Sequence, residues 1–154
     1  MTHPIETRLA ELGVTLPDAP APAANYVPYV ITGNQVFVSG QISNNNAGLI
    51  LGKVGVDLSV EDGAAAAKSC AISLLAQLKA ACDGDLSKLA RVVKLVGFVN
   101  SGPDFTDQPK VINGASDFLV EALGDMGRHA RSAVSAAALP LGVAVEIEAI
   151  FELK

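Results

Sequence analysis

The stretch Ala130–Lys154, ARSAVSAAALPLGVAVEIEAIFELK, decides how this chain folds. Two apolar runs lie on either side of residues 139–142 (LPLG), and we interpret both runs as strands. If they pair as a hairpin closed near the proline, Arg131 falls across from the region of Glu146 and Glu148. The register stays open at this point, because a shift of one residue exchanges the two faces of a strand.

Polar side chains occupy unusual positions in both predicted strands. Side chains of a strand alternate between its faces. One face of the first strand therefore carries His129, Arg131, Ala133 and Ser135, and one face of the second carries Glu146, Glu148 and Glu152. Charges inside apolar strands are rarely buried unless they are paired. On the residues alone, these charges favour a structural ion pair or a set of interface charges.

Length and composition indicate one domain with a sizeable core and a subunit partner. The chain has 154 residues, of which 50% are hydrophobic, and its mean hydropathy is positive, which excludes disorder. So much apolar surface in a small chain indicates burial in an oligomer. The net charge is −5 and the eleven Lys and Arg residues are scattered, so no nucleic-acid partner is expected.

The remaining composition favours a cytoplasmic protein without a metal or a membrane partner. Cys70 and Cys82 fall in one predicted helix, roughly 18 Å apart and beyond disulfide reach, so both are interpreted as small buried side chains. The two histidines, His3 and His129, lack the spacing of metal ligands. The start of the chain shows no signal peptide, and no apolar run is long enough to span a bilayer.

The first 25 residues are predicted to form an N-terminal arm ahead of a domain at residues 26–154. Residues 4–12 have helical spacing, with Pro4 in a first turn and Gly13 at the stop. Residues 16–24 (LPDAPAPAA) are rich in proline and alanine and should lie extended over the domain as a strap.

From Tyr26 onward the pattern predicts the order β-β-α-β-α-β-β, which is an α+β fold with two helices on one face of a mixed sheet. The elements are a hairpin of residues 26–31 and 35–39, a helix from the Ser59 capping box to about Cys82, a strand at 91–100, a helix at 108–123 and the two C-terminal strands. Strand 91–100 is apolar on both faces: Val93, Leu95 and Val99 on one, and Val92, Val96 and Phe98 on the other. We therefore expect helices on one face of the sheet and a neighbouring subunit on the other.

Short motifs in a fixed order resemble the RidA/YjgF family of imine deaminases. They are Pro28-Tyr29, Ser39-Gly40-Gln41, Ala130-Arg131-Ser132, Leu139-Pro140 and the Glu146–Ile150 stretch EIEAI. The resemblance covers about residues 26–153. It implies a chorismate-mutase-like fold and a homotrimer with clefts between its subunits.

The resemblance also implies a chemistry and a set of site residues. The arginine of the A-R-S motif, here Arg131, binds the carboxylate of a small 2-imino acid, and an arginine fork suits that task. Glu146 orients or deprotonates the attacking water. The substrate-binding positions are Tyr29, Ser39, Gly40, Asn113, Arg131 and Ala133. Hydrolysis gives a 2-oxo acid and ammonia, and it needs no metal or cofactor.

One departure from the family pattern keeps other functions open. RidA proteins of the archetypal group usually carry a cysteine two residues after the arginine, and this chain has Ala133. The main alternative is a non-catalytic trimer that binds small carboxylate metabolites. A structural protein with a buried Arg–Glu pair is the third interpretation, and it predicts no affinity for carboxylates.

Overall fold

Five strands form one sheet in a computed structural model, which describes residues 4–154. The strands are β1 Tyr29–Thr32, β2 Gln35–Ile42, β5 Leu89–Asn100, β6 Ala130–Ala136 and β7 Val145–Leu153, and their order in the sheet is β1-β2-β7-β5-β6. A separate small pair consists of β3 Asn44–Asn45 and β4 Gly48–Leu49. The helices are α1 Pro4–Glu11, α2 Val60–Ala81 and α3 Gln108–Leu123. The predicted α+β fold and its element order are confirmed. His3 lies outside the described residues.

The predicted hairpin between the two C-terminal strands is wrong. β7 lies between β2 and β5 and is antiparallel to both, whereas β6 lies at the edge of the sheet and runs parallel to β5. Arg131 is therefore paired with Leu95 rather than with a residue of β7. The physical reason is α3, because a helix between two strands allows the crossover that a parallel pair needs.

Two crossover helices place all helical packing on one face of the sheet. α2 connects β2 to β5, and α3 connects β5 to β6. Both helices contact the sheet and each other. The Ser59 capping box is confirmed, since Ser59 Oγ accepts from the Asp62 backbone and the Asp62 carboxylate accepts from the Ser59 backbone. Gly124 ends α3 with a φ of 65°, a conformation that favours glycine.

A β-bulge corrects the predicted faces of β5. The pairing of β5 with β7 shifts between Val92 and Lys94 and leaves out Val93. Val92 therefore joins Leu95 on the buried face, where the sequence alternation had placed Val93. An extra residue in one strand exchanges the faces on either side of it, and the apolar run itself carries no sign of this.

The sheet face away from the helices carries an apolar patch that no described element covers. Its apolar side chains include Val30, Phe37, Val96, Phe98, Val134 and Ile150. Val30, Phe37 and Val134 are exposed even though they are large hydrophobic side chains. An apolar patch of this kind marks an interaction surface.

The N-terminal segment packs on the sheet and helices through α1 and the strap. Ile5 and Leu9 of α1 are buried, and Arg8 Nε donates to the carbonyl of Glu121 in α3 at 2.9 Å. The strap, residues 16–24, is tied to α2 by a 2.7 Å hydrogen bond from Gln77 Nε2 to the carbonyl of Pro20. Within residues 4–154, no helix combines the length and the hydrophobicity needed to cross a bilayer.

The contact between α2 and α3 depends on Gly114. A Cβ at this position would lie 2.0 Å from the carbonyl oxygen of Ala64, and a backbone atom cannot rotate away. We expect Gly114→Ala to lower the free energy of unfolding by about 1–3 kcal/mol, although helix propensity alone would raise it by about 1 kcal/mol. Urea denaturation measures the change. Gly102→Ala is the matched control, because no described residue beyond the two chain neighbours of Gly102 lies within 4 Å of the Cβ it would add.

Candidate functional site

Ser39 and Gly40 form a bulge that brings the backbone of β2 against Glu146. The pairing of β2 with β7 shifts between Val38 and Gln41, so the two residues between them leave the regular ladder. A Cβ on Gly40 would lie 2.3 Å from Glu146 Oε2. Glycine is therefore needed for the carboxylate to lie this close to the chain.

Glu146 is a half-buried carboxylate with an elevated affinity for protons. Burial and, to a lesser extent, the neighbouring charge of Glu148 raise the pKa of the Glu146 side chain above its ordinary value. Hydrogen bonds and ion pairs to its carboxylate are absent from residues 4–154. A carboxylate in this state suits the role of a general base.

Ser39, Gly40 and Glu146 line a cavity of about 550 Å³. The cavity lies between the strap, the bulge of β2 and the start of β7. Its wall includes Pro17, Pro20, Ala21, Pro22, Ala23 and Ala24 from the strap, together with Ile42, Leu49, Ser73, Gln77, Pro140 and Leu141. Tyr26 and Pro28 form the wall on the side of β1, and Gln41 and Asn44 also line the cavity.

Arg131 is held against α3 by neutral groups rather than by a carboxylate. Its Nη1 donates to Ser116 Oγ at 3.0 Å and its Nη2 donates to the carbonyl of Pro109 at 3.3 Å. In the described part of the chain, Arg131 makes no salt bridge. The interpretation as an Arg–Glu pair within one chain is therefore wrong, and the positive charge remains available to an anion.

His129 extends this hydrogen-bonded chain by one member. Its Nε2 lies 2.9 Å from Ser116 Oγ, and its Nδ1 lies 2.5 Å from the carbonyl of Gly127. A carbonyl only accepts, so Nδ1 carries the proton, and in the neutral ring Nε2 accepts from the Ser116 hydroxyl. Ser116 Oγ then keeps its lone pairs for Arg131, which fixes the direction of the guanidinium group.

As for metals, no set of three or more His, Cys, Asp or Glu residues that could hold an ion occurs in residues 4–154.

The candidate residues form two groups on opposite faces of the sheet. Arg131 pairs with Leu95 on the helix side, whereas Glu146 pairs with Phe98 on the open side. The two strands are also two strand spacings apart, roughly 10 Å. One small molecule cannot contact both groups within a single chain.

The other candidate positions divide between these groups with one exception. Ala133 follows Arg131 on the same face of β6, and exposed Asn113 lies one turn from both Pro109 and Ser116 on α3. Ser39 and Gly40 belong with Glu146. Tyr29 lies in neither group, because it pairs with Val38 and packs against the core.

Sequence reasoning missed two residues that complete these groups. Ser116 contacts both His129 and Arg131, and nothing in the pattern of α3 sets it apart from a solvated serine. Gln77 did carry a signal, because it is a polar residue at a buried position in an apolar helix. Its Oε1 is buried and has no hydrogen-bond donor in the part of the chain that the structure describes.

Comparison with known proteins identifies the family. Residues 6–153 match the profile of the family described as "YjgF/chorismate_mutase-like, putative endoribonuclease". Protein TCP17 of Trypanosoma cruzi is 50% identical over 151 residues, which cover 97% of this chain and 94% of the relative. The chain belongs to the RidA/YjgF family. The matched region includes most of the N-terminal segment, which the sequence motifs had left outside the resemblance.

Solved structures share this fold. The crystal structure of Atu1372 from Agrobacterium tumefaciens has a TM-score of 0.91 at 51% identity and covers 98% of this chain and 93% of that chain. The YjgF gene product of E. coli has a TM-score of 0.62 at 32% identity and covers 88% of this chain and 93% of that chain. These similarities confirm the chorismate-mutase-like fold that the sequence motifs implied.

The neutral partners of Arg131 lead to a prediction about stability. We expect Arg131→Ala to lower the free energy of unfolding by about 1–3 kcal/mol, because two hydrogen bonds to neutral groups are lost and each contributes about 0.5–1.5 kcal/mol. Removal of one member of a buried ion pair would cost roughly 3–5 kcal/mol. Urea denaturation distinguishes the two values. Arg91→Ala, which removes an exposed arginine of β5, is the control.

Proposed function

We propose that the chain hydrolyses reactive 2-imino acids to 2-oxo acids and ammonia, in clefts between the subunits of a homotrimer. One observation supports this most strongly: among residues 4–154, Arg131 has no carboxylate partner, and Glu146 has a raised pKa and no hydrogen-bond donor. Arg131 can therefore bind an anion, and Glu146 can act as a base toward a substrate beside it. A molecule with a carboxylate next to an electrophilic carbon satisfies both.

The two faces of the sheet explain why a second subunit is needed. Arg131 and Glu146 point away from each other within one chain, so a site that uses both draws Arg131 from one subunit and Glu146 from its neighbour. A ring in which every subunit gives one group to each neighbour satisfies all groups. The uncovered apolar face supplies an interface for such a ring, and the family resemblance implies three members.

The proposed mechanism uses only side chains of this chain. The Arg131 guanidinium binds the substrate carboxylate through two parallel hydrogen bonds. Glu146 takes a proton from a water molecule, and the water oxygen forms a bond to the imine carbon. The electron pair of the C=N bond moves to nitrogen, which takes the proton held by Glu146. Glu146 then takes the proton of the new hydroxyl group and passes it to the nitrogen, so that the C–N bond breaks, the carbonyl forms and ammonia leaves.

Ala133 favours a second candidate function, a trimer that binds carboxylate metabolites without turnover. Ala133 lies on the same strand face as Arg131 and presents a methyl group where the archetypal family members have a thiol. The proposed mechanism uses water as the nucleophile and therefore does not need that thiol. Measured release of ammonia from a 2-imino acid decides between the two functions.

The assembly has a direct test. We expect light scattering at micromolar concentration to give about three times the chain mass of 15.8 kDa. The uncovered apolar face is the physical reason, since a monomer would leave it in water. A monomeric mass would contradict both the trimer and the shared site.

The role of Glu146 predicts a specific loss of rate. Glu146→Gln keeps the shape of the side chain and removes the base, so kcat should fall by about 10²–10⁴ while carboxylate binding through Arg131 is retained. The wild-type rate should also decline as the pH drops through the raised pKa of Glu146, at a pH above the ordinary glutamate value of about 4.3. Competition with semicarbazide during amino-acid oxidase turnover measures the imine lifetime.

Mixed trimers provide the control for a shared site. Glu146→Gln subunits keep Arg131, and Arg131→Ala subunits keep Glu146. Random mixing of the two inactive variants should restore about a quarter of the wild-type activity, because one directed interface in four then holds both groups. No recovery in assembled mixtures would show that both groups act from the same subunit.

A further inference from the structure

We propose that the substrate carries a large, mainly apolar side chain, which occupies the cavity between the strap and the bulge of β2. This inference rests on the proposed function and names its substrate class: 2-imino acids with branched aliphatic or aromatic side chains. The alternative within the same function is a substrate no larger than three carbons.

The position of the cavity supports this assignment. Glu146, Ser39 and Gly40 form part of its wall, so a substrate carbon attacked by water at Glu146 lies beside it. In a 2-imino acid, the carbon that water attacks bears three groups: the carboxylate, the imine nitrogen and the side chain. With the carboxylate directed to Arg131 of the neighbouring subunit, the side chain is left to enter the cavity.

The volume of the cavity exceeds what a small substrate fills. A three-carbon 2-imino acid has six non-hydrogen atoms and takes up on the order of 180 Å³, given about 30 Å³ for each water in the liquid. The cavity measures about 550 Å³, which is in the usual range for sites of larger small molecules. Most of it would stay unfilled by the smallest substrate.

The chemistry of the wall indicates a mainly apolar occupant. Prolines and alanines of the strap form one side, and Ile42, Leu49 and Leu141 contribute further apolar surface. The polar residues of the wall are Ser39, Gln41, Asn44, Ser73, Gln77 and Glu146. Gln77 Nε2 donates to the carbonyl of Pro20 at 2.7 Å and to Gln41 Oε1 at 3.5 Å. Within residues 4–154, no hydrogen-bond donor reaches its buried Oε1.

The strap side of the cavity is held in place before any ligand binds. Gln77 fixes Pro20, and the backbone amide of Ala23 donates to the Tyr26 hydroxyl at 3.3 Å. Leu16 packs against the core at the beginning of the strap. A wall that is already in place selects among side chains by size, because the ligand does not have to order it.

The test compares 2-imino acids produced by amino-acid oxidase from alanine, leucine and phenylalanine. We expect the wild-type kcat/KM to be at least about tenfold higher for the two larger substrates, since each methylene in an apolar pocket is worth roughly tenfold or more. Ala24→Leu fills part of the cavity and should remove this preference by lowering kcat/KM for the two larger substrates. Ala19→Leu is the matched control, because Ala19 belongs to the same strap and is not part of the cavity wall.

Binding of the product 2-oxo acids, measured by calorimetry, tests the cavity without turnover. Pyruvate should bind at least about tenfold more weakly than 4-methyl-2-oxopentanoate, and Ala24→Leu should abolish the difference. Equal or better use of the alanine-derived substrate would overturn the inference and leave the proposed function intact. No turnover with any substrate would instead overturn the proposed function. A loss of the trimer on Ala24→Leu would assign the cavity to the neighbouring subunit.

Discussion

Every other part of this fold depends on the position of β7, which is hydrogen-bonded to β2 on one side and to β5 on the other. Its alternate residues Val145, Ile147, Ala149 and Phe151 are buried under the helices. The residues between them necessarily point to the opposite face. This alternation places Glu146 on the open side of the sheet, and the antiparallel pairing with β2 brings the glycine bulge against its carboxylate. The core and the candidate site are therefore consequences of the same strand.

The helices and most strands could be predicted from the sequence, because caps, apolar stripes and turn residues are local signals. The capping box at Ser59 and the stop at Gly124 are examples. The pairing of β6 could not be read in the same way. An apolar run forms an edge strand beside β5 or a hairpin with β7 equally well, and the LPLG segment suggested the hairpin. The long helix before β6 was the signal for a parallel crossover.

The candidate site was predictable as a set of motifs but not as a geometry. The sequence places Arg131 and Glu146 only fifteen positions apart, and the fold turns them to opposite faces. The charge of Arg131 is supported by a hydroxyl and a carbonyl, which orient it without neutralising it. Burial raises the pKa of Glu146, and keeping a charged carboxylate partly buried lowers the free energy of unfolding. Such unpaired, perturbed groups are typical of functional positions, where stability is sacrificed for chemistry.

The scarcity of aromatic residues has a spectroscopic consequence. The chain has no tryptophan and two tyrosines. Tyr26 forms part of the cavity wall, and its hydroxyl accepts a hydrogen bond from the strap. Tyr29 lies three residues further on, at the start of β1. The intrinsic ultraviolet fluorescence of this protein therefore originates beside the strap and the cavity, so a ligand or a movement of the strap changes the emission without any attached dye.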